Sequence, residues 1–106
     1  MSFDMWGYRF DGAFPDPNLL KSSPGIYVIW SKKGENWKVL DVGESADVKD
    51  RLLDHERKPC WTSHCTGELV YSATYTPDLD QPGREKIAQH IRGRSKPPCG
   101  DIVIPV

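Results

Sequence analysis

The chain has 106 residues, 38% of them hydrophobic and 27% charged, with a formal net charge of −1. That length supports one compact domain and leaves little for a second, and the charge balance argues against a whole-surface nucleic-acid binder. No apolar run approaches the roughly 18–20 residues of a membrane span, and MSFDMWGYRF lacks the basic-then-apolar order of a secretory signal, so the expectation is a cytoplasmic protein without a membrane partner.

Residues 1–23 read as an irregular, aromatic-rich arm. Phe3, Trp6, Tyr8, Phe10 and Phe14 stand among Gly, Asp and Pro, and Pro15 and Pro17 exclude a regular central strand or helix there. Residues 24–106 read as the domain proper. Pro24-Gly25 punctuates the start of Ile26-Tyr27-Val28-Ile29-Trp30, a β-branched and aromatic run expected as a strand buried on both faces. A polar turn around Gly34 leads into a second strand over residues 37–42, giving an antiparallel hairpin.

Gly43 breaks that strand, and Ser45 is placed to cap a helix over residues 46–57, stopped by Pro59. Val48 and Leu52 define its apolar stripe, with Arg51 and His55, one turn apart, at the border. Residues 69–75 read as a third strand. Pro82 opens a second helix whose apolar side is Ile87, Ala88 and Ile91, and Gly93 is placed to end it. The expected fold is α/β (α+β): a small three-stranded antiparallel sheet flanked by helices in the order β-β-α-β-α.

Gly25-Ile26-Tyr27 on the first strand, Asp41-Val42-Gly43 ending the second, Arg51 and His55 on the first helix and Glu85 on the second resemble a GIY-YIG nuclease domain. The resemblance covers about residues 24–100. It implies a metal-dependent endonuclease that hydrolyses phosphodiester bonds, usually of DNA. In such a site Glu85 would hold Mg²⁺ or Mn²⁺ and Arg51 would stabilise charge on the phosphate. Tyr27 would help activate water, while His55 would support proton transfer or orient the tyrosine. Two positions depart from the family pattern: Asp41 stands where the second triplet normally begins with tyrosine, and Cys99-Gly100 follows Pro97-Pro98 where an asparagine is expected. Asp41 is therefore read as a second metal ligand or a general base. The competing reading is a degenerate domain that binds nucleic acid or a protein without cutting.

Residues 84–96 carry Arg84, Lys86, Arg92, Arg94 and Lys96 against the single acid Glu85, which suits a local phosphate-binding surface. Cys60, His64, Cys65 and Cys99 are zinc-capable, but Cys-x3-His-Cys fits no regular zinc motif. A structural zinc is therefore not expected, and the cysteines read as ordinary reduced thiols.

Overall fold

The structure, a computed structural model, describes residues 2–100. Five strands form one antiparallel sheet: β1 (Ser2–Met5), β2 (Tyr8–Phe14), β3 (Gly25–Lys33), β4 (Asn36–Ser45) and β5 (Glu68–Tyr75). Their spatial order is β1-β2-β5-β3-β4. Three helices complete the α+β fold: α1 (Val48–Leu53), α2 (Lys58–His64) and α3 (Gln81–Ser95). The three expected strands are there as β3, β4 and β5, with β3 flanked on both sides, and the run at residues 25–31 is buried throughout.

The sheet is larger than expected because the N-terminal segment joins it. Trp6 and Gly7 both take positive φ (53° and 84°), which turns β1 into β2 with Met5 opposite Tyr8. Such a two-residue turn matches the natural strand twist. Phe3 stacks on Phe10 at 5.4 Å and Trp6 on Trp30 at 5.7 Å, so the aromatics are inward residues of a hairpin rather than of an irregular arm. Pro15 and Pro17 fall beyond β2, where Pro17 begins a single 3-10 turn (Pro17–Leu19).

The helix expected over residues 46–57 is two helices. Asp47, not Ser45, caps α1, its carboxylate accepting from Asp50 N at 3.1 Å. Pro59 lies in the first turn of α2 and starts a helix rather than stopping one, because the missing N–H there would have had no helical partner anyway. The turn between them carries His55 inward, to 4% exposure. Gly93 does not end α3, which runs to Ser95. Lys96 then takes the left-handed conformation, and its N–H donates to Arg92 O at 2.8 Å.

Two apolar layers sandwich the sheet. Leu20, Tyr27, Ile29, Leu40, Val48, Leu52, Trp61, Tyr71 and Ala73 fill the side covered by α1 and α2. Ile26, Val28, Val42, Ala88 and Ile91 pack under α3, continuing to Phe10 and Trp30 beneath the hairpin. Among the described residues no helix is long and apolar enough to cross a membrane. Cys60 and Cys99 are joined as a disulfide with Cα atoms 5.9 Å apart, correcting the expectation of reduced thiols for that pair; Cys65 is free. The pairing follows from the tail, which β4 draws back over the sheet through Cys99 N–H and Leu40 O at 2.9 Å.

Candidate active site

A pocket of about 160 Å³ opens at the β4 edge, where α3 from one face of the sheet meets the α1–α2 turn from the other. Tyr27, Gly43, Glu44, Arg51, Arg57, Glu85, Gln89 and Arg92 are among the residues lining it. Tyr27, Arg51 and Glu85, separated by dozens of residues in sequence, therefore share one polar cleft. Gly43 is what lets the tyrosine reach it: a Cβ at this position would overlap the Tyr27 hydroxyl. The glycine ending the second triplet is thus a steric requirement of the tyrosine in the first.

His55 stands behind Tyr27, with Nε2 2.7 Å from the tyrosine oxygen. The backbone N–H of Arg57 donates to Nδ1 at 3.0 Å, which assigns the proton of the neutral ring to Nε2. Nε2–H then donates to Tyr27 Oη. Burial, followed by the charges of Arg51 and Arg57, pushes the His55 pKa down to about 4, so the ring is neutral at physiological pH. Burial chiefly pushes the Tyr27 hydroxyl up to about 12. Since its oxygen accepts from histidine, the tyrosine's own proton is available for donation elsewhere.

Asp41 is wholly buried and does not line the pocket. A register shift between Ile29 and Trp30 in the β3–β4 ladder turns Leu40 and Asp41 toward the same layer, where both meet Trp61. The Asp41 carboxylate accepts from Val42 N at 2.8 Å, Trp61 Nε1 at 2.7 Å, Arg57 Nε at 2.7 Å and Arg92 Nη2. Both oxygens are saturated, which leaves no lone pair for a metal or for proton abstraction; the expected ligand or base is instead a buried counterion. Arg92 is further fixed by its donations to Val42 O at 2.6 Å and Cys99 O at 3.1 Å. Gly100, at φ 103°, packs so closely on Arg92 that a side chain there would overlap the guanidinium.

Arg51 forms a two-pronged pair with Glu56 at 2.6 and 2.7 Å, and these bonds pull the Glu56 pKa down to about 2. Glu85 makes one polar contact among the described residues: its Oε1 accepts from Gln89 Nε2 at 2.7 Å. Its carboxylate is the least engaged of the acids around the cleft.

The basic stretch on α3 divides. Arg84 is buried and binds Glu44 at 2.8 Å and Leu79 O at 3.0 Å, and Arg92 serves Asp41, so neither belongs to an exposed cationic surface. Lys86, Arg94 and Lys96 are exposed. Sequence reasoning missed Arg57, which reaches the pocket from the α1–α2 turn and lies 3.4 Å from Tyr27 Oη. A larger hollow of about 690 Å³ lies elsewhere, among Phe3, Met5, Trp30, Trp37 and Val70; Lys32 and Glu68 are its charged lining residues. Compared with known proteins, the chain matches no family model, no curated protein and no solved structure.

Proposed function

We propose that the chain is a GIY-YIG-like endonuclease that hydrolyses DNA phosphodiester bonds with a divalent cation, Mg²⁺ or Mn²⁺. The observation that carries this reading is the meeting of Tyr27, Arg51 and Glu85 in one cleft, with His55 bonded to the tyrosine behind it. A hard cation that keeps most of its waters suits a pocket of this size with one lightly engaged carboxylate, so Glu85 is the residue to hold it. When bound, such a cation neutralises charge on the scissile phosphate and acidifies a water.

The chain's own groups do the rest. Tyr27, protonated up to about pH 12, holds an incoming water by hydrogen bond. His55 is the positioning residue that fixes the tyrosine oxygen. Arg51 takes phosphate oxygens in exchange for Glu56, and Arg57 and Arg92 keep the cleft wall positive. Lys86, Arg94 and Lys96 supply weaker contacts to the DNA backbone.

The test is nicking of supercoiled plasmid with Mg²⁺ or Mn²⁺. Arg51→Ala and Glu85→Ala should each lower the rate by at least about 100-fold, the scale of losing one group that stabilises transition-state charge. Nicking that survives both substitutions belongs to a contaminant and overturns the reading. The second reading, a module that binds without cutting, is favoured by Asp41 replacing the second tyrosine and by Glu56 occupying Arg51. It predicts no Mn²⁺-induced change in thermal stability or in the Glu85 resonances, and no nicking.

A further inference from the structure

Away from the cleft, α2 and the tail after α3 bring three soft or borderline metal donors together. Cys60 and His64 lie one turn apart on α2, and Cys99 arrives from the tail. One ligand atom from each lies within 4.8 Å of the others. His64 Nδ1 stands 3.6 Å from Cys60 Sγ and 3.8 Å from Cys99 Sγ, and it lies 3.0 Å from Cys60 O, a contact it must give up to take a metal. Around a tetrahedral zinc ion, with Zn–S about 2.3 Å and Zn–N about 2.0–2.1 Å, nitrogen and sulfur ligands stand about 3.5 Å apart. Both nitrogen–sulfur separations are already near that value; only the two sulfurs must part, from bonding distance to about 3.7 Å. Cys65, next in sequence to His64, is outside the cluster and bonds Gly67 O at 3.3 Å.

We propose that, once Cys60 and Cys99 are reduced, this corner binds one zinc-class divalent cation through two thiolates and His64 Nδ1, with a fourth position open to water. Opening the disulfide takes two electrons and two protons from a dithiol, which is left as its own disulfide. Metal binding then releases the two thiol protons, and the imidazole proton moves from Nδ1, beside Cys60 O, to Nε2. Disulfide and cation are alternative links for the same task. Each ties the tail to α2, and the tail holds the Cys99 carbonyl to which Arg92 donates at 3.1 Å. The inference is independent of the nuclease reading.

The experiment is a Cd²⁺ titration of the full chain, reduced with a phosphine under argon, followed by the thiolate-to-metal charge-transfer absorption. One Cd²⁺ per chain is expected in the reduced protein and none at this corner in the oxidised one. Cys60→Ser or Cys99→Ser should abolish the absorption, and Cys65→Ser should leave stoichiometry and affinity unchanged. His64→Ala should weaken binding by more than about tenfold, the effect of losing even an outer-shell partner. Alkylation of the unmutated reduced chain, read by mass spectrometry, decides the matter even where a serine variant fails to fold. Zn²⁺ should protect Cys60 and Cys99 while Cys65 is labelled. Absent charge-transfer absorption, equal labelling of all three cysteines with and without Zn²⁺, or loss of binding in Cys65→Ser overturns the proposal.

Discussion

Two carboxylates at the cleft, Asp41 behind its wall and Glu85 in its lining, have opposite circumstances. Asp41 is fully buried and accepts from two guanidiniums, an indole and a backbone amide. Glu85 lines the pocket and accepts from one glutamine. The contrast separates two jobs that sequence alone merges. An acid whose lone pairs are all taken organises its neighbours, whereas one left lightly engaged can take a ligand. Asp41 holds Arg57 and Arg92 in the cleft wall; Glu85 is what that wall surrounds.

Replacing Asp41 breaks this contrast most severely. Asp41→Ala removes the buried carboxylate that Arg57 and Arg92 share in a largely buried site. Removing one partner of a buried charge pair costs about 3–5 kcal/mol, so urea unfolding should show a loss of that size. Glu85→Ala should cost far less stability while removing cation binding. Comparable destabilisation by the two would mean that Glu85 is also a structural acid.

The apolar half of this architecture was legible and the ionic half was not. Strands β3 and β5 announce themselves as β-branched and aromatic runs, and Val48, Leu52, Ala88 and Ile91 mark their helix faces by period. The hairpin at residues 2–14 carries a weak sequence signal, because Trp6-Gly7 is not the usual Asn-Gly turn and Pro15 and Pro17 follow it closely. The polar–aromatic alternation of Tyr8-Arg9-Phe10-Asp11 was the available signal. Asp41 meets Arg92 across 51 positions, and no local pattern encodes such a pairing. Arg57 was missed because a continuous helix would send it elsewhere; Lys58-Pro59, which opens α2, was the clue to the break. Tyr27, Arg51 and Glu85, which line one cleft, could be singled out together only through the resemblance to an ordered family pattern, not through composition or period.

Leu52 and Arg51, adjacent on α1, sharpen the comparison within a single turn. Leu52 is 0% exposed between Val48 and Trp61, so Leu52→Ala should destabilise by about 2–5 kcal/mol through the cavity it leaves. Arg51→Ala should leave the unfolding midpoint close to that of the unsubstituted chain. If the two cost the same in urea, Arg51 is part of the frame and its catalytic assignment fails.

A pH-dependent effect comes from His55 and Tyr27, whose titrations pull in opposite directions. The His55 pKa of about 4 lies below the ordinary 6.5, so the unfolded chain binds a proton that the folded one refuses. Its contribution to stability is complete above pH 6.5 and is lost as pH falls toward 4, with a slope of at most about 1.4 kcal/mol per pH unit. The Tyr27 hydroxyl, raised from 10 to about 12, contributes stability below pH 10 that is lost as pH rises through 12. Urea midpoints measured across pH should therefore fall on both sides of a plateau. His55→Gln should flatten the acidic limb alone, and an acidic limb unchanged in that variant would remove the histidine from this account.

The smallest expected change tests whether Glu56 belongs with the organising or the yielding acids. Its pKa, pulled down to about 2 chiefly by Arg51, keeps it ionised at neutral pH, and it occupies both prongs of Arg51 at 2.6 and 2.7 Å. A phosphate approaching Arg51 must displace it, so the carboxylate competes for the guanidinium that the substrate needs. Glu56→Gln keeps the shape and removes the charge. A few-fold tighter binding of a short oligonucleotide is expected, with the gain shrinking as added salt screens the difference. Weaker binding would reverse the assignment: Glu56 would then resemble Asp41, an acid whose value lies in aiming an arginine rather than in releasing it.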